Sequence, residues 1–317
     1  MVKIAIAGGS GQVAREVIDA LLTTKKHTII VLTRTSAKPD MNSKIEQRVI
    51  DYQDTGDLVN VLHGVHTVLS FIQLLSDPDQ KAQRNLIDAA VKAGVKRFAP
   101  SEYGSAGTVN MPWWEGKQKI REYLEQINKP NKILEYCLFQ PGLFMNYLAF
   151  PNRTSKHLSP LGTVYDFQNK RALTVENYES AAMTWTSVAD LSAIIAMAVD
   201  YKGEWPKIGG IQGEKVTGTQ LIQAGERIRC QPFTVERLSL KDLEEGKLRS
   251  SWSLSASHKA VSKDEAARML EQVTIGMLLS VAKGAWEGSA EWNQIFPEYR
   301  FTSMESFIVD VWGEADD

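Results

Sequence analysis

The sequence predicts an α/β protein: a doubly wound parallel sheet with a smaller α+β domain beside it. Three observations carry this. An apolar strand pattern at residues 3–7 breaks directly into a glycine turn and then a helix. Strand-like and helix-like segments alternate from there to residue 139, an order that builds parallel strands with helices on both faces. Past about residue 150 the alternation gives way to short elements rich in aromatic residues.

The elements follow in order. Residues 3–7 (KIAIA) read as a buried strand. The turn is Gly8-Gly9-Ser10-Gly11-Gln12-Val13-Ala14, and residues 14–22 read as a helix. Gly8 permits the tight turn, Gly11 lets backbone approach a phosphate, and the small Ala14 lets the helix sit close to the strand. The unpaired N–H groups of the helix start point at an anion. A glycine turn alone is a weak signal. Strand before and helix after make this one a dinucleotide-binding turn. Residues 28–33 (TIIVLT) are a β-branched second strand, residues 48–50 a short third, and residues 57–62 a short helix. Residues 67–72 (TVLSFI) make a fourth strand. Residues 80–93 form an amphipathic helix stopped by Gly94, and residues 97–100 (RFAP) a fifth strand. Residues 115–127 are a helix and residues 133–139 a sixth strand.

Residues 151–182 read as polar and irregular, and residues 187–200 (SVADLSAIIAMAVD) as a strong helix that returns to the sheet. Helices are expected at 219–227, 263–272 and 275–282. The expected division is residues 1–150 plus 183–205 as a nucleotide-binding domain, and residues 151–182 plus 206–317 as a lid that holds substrate over the strand C-termini.

Composition excludes several classes. The chain has 317 residues, 43% hydrophobic and 23% charged, as in globular proteins. Its net charge of −2 and lack of a basic run argue against a nucleic-acid partner. No apolar stretch approaches membrane-spanning length. A strand at the very start makes a secretory signal unexpected. Two cysteines make no disulfide framework, and five scattered histidines show no metal-ligand spacing, so no metal is expected. A cytoplasmic location is the expectation by default. Oligomeric state stays open between monomer and homodimer.

The second strand ends in Thr33-Arg34-Thr35-Ser36, with Lys38 beyond. An acidic residue about 20 positions past the fingerprint accepts from a free ribose. Here that place is Arg34, whose guanidinium fork matches a 2′-phosphate. NADPH/NADP+ is therefore expected over NAD, with a solvated surface arginine as the plain alternative. On the helix at 115–127, Gly116, Ile120, Tyr123, Leu124 and Ile127 share a stripe, and Lys117 lies at its edge. Lys119 and Arg121 flank it further round. An inward amine near a helix start has a depressed pKa and can serve as acid or base. A lysine stem merely covering apolar surface has the same pattern. Eight tryptophans, six of them past residue 180, together suit a flat aromatic ligand, although ordinary core packing explains any one of them.

Four segments resemble one family. They are Gly8 to Ala14, Thr33-Arg34, Val95-Lys96-Arg97-Phe98-Ala99-Pro100-Ser101-Glu102-Tyr103-Gly104, and Gly116-Lys117-Gln118-Lys119-Ile120-Arg121. They are similar to the NmrA-like, atypical short-chain reductases, and most of all to the isoflavone reductase-like group with its phenylcoumaran benzylic ether and pinoresinol reductases. The likeness is strong over residues 1–150 and thins beyond. It implies a Rossmann-type domain plus a small substrate domain, and NADPH as cofactor with Arg34 on the 2′-phosphate. Lys117 would be the catalytic group. The cofactor site would comprise Gly8, Gly9, Ser10, Gly11, Gln12, Val13, Arg34, Thr35, Phe71, Ile72, Gln73 and Lys117. Ser101, Glu102 and Tyr103 would line the strand end facing the nicotinamide. Trp113, Phe144, Met145 and Tyr147 are further substrate-side candidates, the last three at the cleft mouth. The implied substrate is a small aromatic or apolar secondary metabolite. Trp113 stands four before Lys117, so the Tyr-x-x-x-Lys pair of typical short-chain dehydrogenases is absent. Founding NmrA-like proteins are redox-sensing regulators without a lysine at the Lys117 position. A non-catalytic sensor and a quinone reductase are thus the alternatives.

Overall fold

The computed structural model describes residues 1–35, 45–77, 79–254 and 263–313. Ser36 and Lys38 lie outside the described residues. Strands β1 (Lys3–Ala7), β2 (Thr28–Thr33), β3 (Ile45–Val49), β4 (Thr67–Ser70), β5 (Arg97–Ala99) and β6 (Glu135–Tyr136) form one parallel sheet in the order β3-β2-β1-β4-β5-β6. The chain winds outward from β1 to β3, then reverses across β1 to β4. Ligands in such sheets sit beyond the strand C-termini at this switch. The register places Ala7 beside Leu32 and Ser70, so the ends of β1, β2 and β4 share one edge.

Helices α1 (Gln12–Thr23), α2 (Thr55–Leu62), α3 (Lys81–Lys92) and α4 (Glu115–Ile127) follow β1, β3, β4 and β5. Their starts are partly written in the sequence. Asp54 caps α2 by accepting from Gly56 N and Asp57 N, satisfying two otherwise orphaned donors. The buried Asp77 accepts from Ala82 N and Gln83 N at the start of α3. Helix α5 (Val188–Asp200) is capped by Ser187 and lies against α1. Its alternation reads as nearly all apolar because most of its faces are buried. One core on the α1/α5 side of the sheet contains Ile4, Ile6, Val17, Leu191 and Trp292. A second, on the α2/α3/α4 side, contains Ala5, Leu58, Leu86, Phe98 and Leu124.

Three expectations are corrected. The sixth strand does not run unbroken over residues 133–139: Ile133 is exposed, and the chain changes neighbour midway. Cys137 N still donates to Phe98 O, but Leu138 N donates to Lys207 O, and β7 (Leu138–Gln140) pairs with β12 (Ile208–Gly210). Residues 151–182 are not irregular throughout. They contain β9 (Tyr165–Asp166) and β10 (Arg171–Val175), the latter parallel to β14 (Thr234–Leu238). The expected helices at 263–272 and 275–282 are one helix, α8 (Lys263–Ala282). The Thr274 hydroxyl bonds back to Leu270 O, so the β-branched pair Val273-Thr274 is absorbed without a break.

Other elements build the third core. These are β8 (Leu143–Phe144), β11 (Ala182–Thr186) and β13 (Glu214–Thr217), which form a small sheet, with α6 (Gly218–Ile228), α7 (Leu240–Glu244) and α10 (Met304–Trp312), while α9 (Glu291–Ile295) packs into the α1/α5-side core. This core gathers Phe167, Leu173, Trp185, Leu278, Trp286 and Ile308. Thr217 and Gln220 form a reciprocal capping box at the start of α6. Trp185, Trp205, Trp286, Trp292 and Trp312 are all buried in cores, and Phe139, Trp292 and Phe296 stack on one another. These five tryptophans are therefore packing, not the wall of a ligand site; Trp252, the sixth, is half-buried.

Candidate active site

The glycine turn ends β1. Gly8 has φ +70°, and a Cβ there would meet Phe71 O at 2.6 Å, so only glycine fits. Gly11 N donates to Gly8 O at 3.0 Å and closes the turn. Helix α1 begins with no side-chain cap, which leaves its first N–H groups free for an anion. Ala14 is fully buried against the sheet, as its size requires. Ser10 and Gln12 are exposed at the turn, with Gly11 and Val13 partly buried. Gly9 packs on Val31 of β2.

Arg34 and Thr35 follow β2 and are exposed on the same edge. Tyr52 lies between them and the turn. Burial pushes its hydroxyl up to about 12, opposed by the Gly8 amide and the Arg34 charge. Tyr52 belongs to no sequence motif, so its place beside the turn has no local signal.

A segment after β8 straps across α1. Ser159 N donates to Gln12 Oε1 at 3.0 Å, and the N–H groups of His157 and Leu158 both donate to Glu16 Oε1. Lys156 and His157 reach Asp19 at 2.6 and 2.9 Å, and Arg153 donates to Ser159 Oγ at 2.8 Å. Gln12, Glu16 and Asp19 recur at helical spacing, so one face of α1 holds the strap. Their partners lie some 140 residues away, which no local pattern reveals.

The ends of β4 and β5 continue the site. Phe71 N donates to Ala7 O, which ties the residue after β4 to the end of β1. Phe71 and Ile72 are buried, while Gln73 is exposed. Phe71 stacks on Tyr103, with ring centroids 4.3 Å apart and planes at 7°. Gln83 of α3 accepts from Ser70 Oγ and from Ser101 N, joining the two strand ends. Tyr103 takes φ +31°, and its buried hydroxyl has no hydrogen-bond partner among the described residues.

Lys117 sits in the first turn of α4 and is only 5% exposed. Its Nζ donates to the backbone oxygen of Glu102 and stands 3.7 Å from the centroid of the Trp114 ring. A Cβ on Gly104 would come within 3.1 Å of Nζ and 2.8 Å of Trp114. Burial lowers the amine from 10.5 to about 8, the Glu102 charge raises it and the Arg121 charge lowers it further. Gly8, Phe71, Tyr103, Gly104 and Lys117 thus form a continuous chain of contacts from the glycine turn to the amine.

Other expected residues are placed differently. The Glu102 carboxylate is turned away from the strand end and is paired with Arg121 (Nε–Oε1 3.1 Å, Nη2–Oε2 2.7 Å). It is a structural anion here, not a substrate contact. Phe144 and Met145 are buried in the interior, not at a cleft mouth, because β8 pairs with β11 and draws them inside. Tyr147 is partly buried, edge-on to Phe144. Trp113 packs against Gly276 of α8, and Trp114 tilts onto Trp286 at 5.6 Å, so Trp113 joins the third core. A cavity of about 60 Å³ lies among Tyr147, Phe150, Thr163, Arg171 and Trp252; neither Lys117 nor the glycine turn lines it. Among the described residues no cluster of three or more His, Cys, Asp or Glu could hold a metal, and no helix is long and apolar enough to cross a membrane.

The NmrA-like family model matches residues 2–280. The chain belongs to the NmrA-like family. The oxidoreductase BOA1 of Botryotinia fuckeliana is 29% identical over 307 residues, covering 94% of this chain and 95% of that one. Among solved structures, the NADPH-dependent quinone oxidoreductase QOR2 of Escherichia coli, complexed with NADPH, superposes with TM-score 0.67 at 21% identity, over 98% of this chain and all of that one. A structure from work on pinoresinol-lariciresinol and phenylcoumaran benzylic ether reductases gives TM-score 0.68 at 18% identity, over 98% and 99%. At these identities the two structures establish the shared fold. The lysine contacts described above come from this chain's own geometry.

Proposed function

We propose that this NmrA-like protein is an NADPH-dependent reductase of a small, apolar and aromatic acceptor, with Lys117 as its general acid. The observation that carries this reading is the Lys117 amine: buried, lowered to about 8, and linked through Tyr103 and Phe71 to a glycine turn that only glycine can form. Residues 1–150 plus 183–205 would hold the nucleotide, and residues 151–182 plus 206–317 the acceptor. The glycine-only turn and the uncapped start of α1 fit a pyrophosphate. NADPH, when bound, supplies the hydride. Ser10, Gly11, Gln12 and Val13 would hold the diphosphate, Arg34 and Thr35 the 2′-phosphate, and Phe71, Ile72 and Gln73 the ribose beyond. Lys117 would give up the proton that balances the hydride. The related oxidoreductases and the NADPH complex of the same fold support the redox class.

The test is consumption of NADPH with a panel of aromatic enones, imines, quinones and benzylic ethers. Turnover of at least one class is expected. Tight binding of both cofactor forms with no turnover of any would replace this reading with the regulator. Arg34→Ala is expected to weaken NADPH binding by about 1.5–3 kcal/mol, the worth of a hydrogen bond to a charged group, while NADH binding holds. Titration of both cofactors checks this. An unchanged ratio of the two affinities would remove Arg34 from the 2′-phosphate.

A further inference from the structure

We propose that the Glu102–Arg121 ion pair is the positioning device for the Lys117 amine: it holds still the backbone oxygen to which the amine donates, and it sets one anion and one cation beside that amine. The proposal rests on the reductase reading for its consequence in catalysis, but not for its geometry.

Helix α4 grips a single residue at two points. Lys117 and Arg121 stand four apart on one face, and both reach Glu102. Lys117 takes the backbone oxygen and Arg121 takes the carboxylate with both ends of its fork. The remaining Arg121 nitrogen, Nη1, donates to Ala106 O at 3.0 Å. Residues 102 and 106 bound the short loop that carries Tyr103 and Gly104. That loop cannot shift without breaking the fork, so the acceptor of the lysine proton is held still. The Glu102 side chain is 1% exposed and that of Arg121 14%, so neither charge is well screened.

A buried ion pair is a weak device for stability alone, because desolvation offsets its attraction. This one stands beside a buried amine. Glu102 favours the ammonium and Arg121 disfavours it. Among the described residues these are the two charges that act on Lys117. The other groups packed on it are the Trp114 ring and the Gly104 backbone, with the neutral Tyr103 next in the loop.

The experiment titrates the Lys117 amine by NMR in full-length protein labelled with [ε-13C]lysine. The signal is assigned by its loss in Lys117→Met. The pH profile of kcat and the KM for NADPH are measured beside it. Glu102→Gln is expected to move the amine's midpoint down, and Arg121→Met to move it up, each by about one pH unit. The double variant should fall between them, and the kcat profile should follow the midpoint while KM holds. A loss of packing would not split the midpoint in opposite directions. Midpoints that stay put, or move the same way in both single variants, overturn the proposal. If either single variant fails to fold, Arg121→Lys keeps the cation and loses the fork. An unmoved midpoint with a lowered kcat then supports the proposal, and no change in either overturns it. Split midpoints in a protein that turns over no acceptor would keep the device and remove the reductase. Turnover with unsplit midpoints would do the reverse.

Discussion

Replacing Lys117 with alanine is expected to lower turnover by about 10²–10⁴-fold, the usual cost of deleting a positioned acid or base, while NADPH affinity stays within a few-fold. The amine makes no contact with the glycine turn, so its loss should not disturb the pyrophosphate site. Its pKa gives the pH dependence a sign. With the folded value lowered to about 8, the amine is charged at neutral pH and loses its proton as pH rises through 8. An acid fails as it deprotonates, so kcat should fall above that point in the wild type and flatten in the variant. Stability moves the other way. The unfolded chain holds this proton up to 10.5, so burial of the ammonium opposes folding in full below pH 8 and ceases to do so above 10.5. The cost at neutral pH is on the order of 3 kcal/mol. Lys117→Met removes that cost but strips the Glu102 oxygen of its donor, a loss of about 1–3 kcal/mol. The two nearly cancel, so the methionine variant should melt at or above the wild-type temperature. A variant with lost activity and retained stability marks a functional lysine. Loss of stability, cofactor affinity and turnover together would make Lys117 structural.

The parts of this site that could be read in the sequence are those whose physics is local. The glycine turn declares itself because a positive φ and a close approach to Phe71 leave one residue type available at position 8. The inward turn of Lys117 is readable because a helix wheel depends only on neighbours within two turns, but the wheel alone does not separate an acid–base lysine from a stem covering apolar surface. The place of Arg34 just past β2 is readable from its distance to the turn, since strand length fixes where the second strand ends. The rest depends on partners far along the chain. Nothing near Glu102 shows that its carboxylate will meet Arg121 instead of a ligand, as both faces of a loop after a strand look alike in sequence. Residues 133–139 read as one strand because their pattern is continuous, and only Lys207 and β12 reveal the change of neighbour. The aromatic residues misled for a related reason. A ring that packs in a core and one that faces a ligand have the same local signature, and here β8 and β11 draw Phe144, Met145 and Trp185 inside.

Arg97 carries the largest expected effect on stability. It opens the fifth strand four residues before Ser101, and its side chain is nine-tenths buried. The Nε donates to Glu135 Oε1 at 2.8 Å, Nη1 to Tyr201 O at 2.7 Å, and Nη2 to Gly203 O at 2.6 Å. The guanidinium also lies over the Trp205 ring at 5.1 Å, and Glu135 accepts from Trp205 N at 3.0 Å. One cation thus joins β5 and β6 to the C-terminal end of α5, where the helix dipole favours positive charge. Arg97→Met keeps most of the volume but takes the guanidinium from a mostly buried carboxylate, which keeps only the Trp205 N–H and a longer contact to Lys132 at 3.5 Å, and strips the carbonyls of Tyr201 and Gly203 of this donor. Breaking such a pair from one side costs about 3–5 kcal/mol. The melting temperature should drop by roughly 10 °C, read by calorimetry. Adding Glu135→Gln should recover part of this, since the stranded charge goes with it. Because Arg97 meets neither the glycine turn nor Lys117, variant protein that remains folded should bind NADPH as the wild type does. A melting temperature within about 2 °C of wild type would show that the network is solvated in practice, and that β5, with the loop behind it, is held by its ladder and its apolar faces alone.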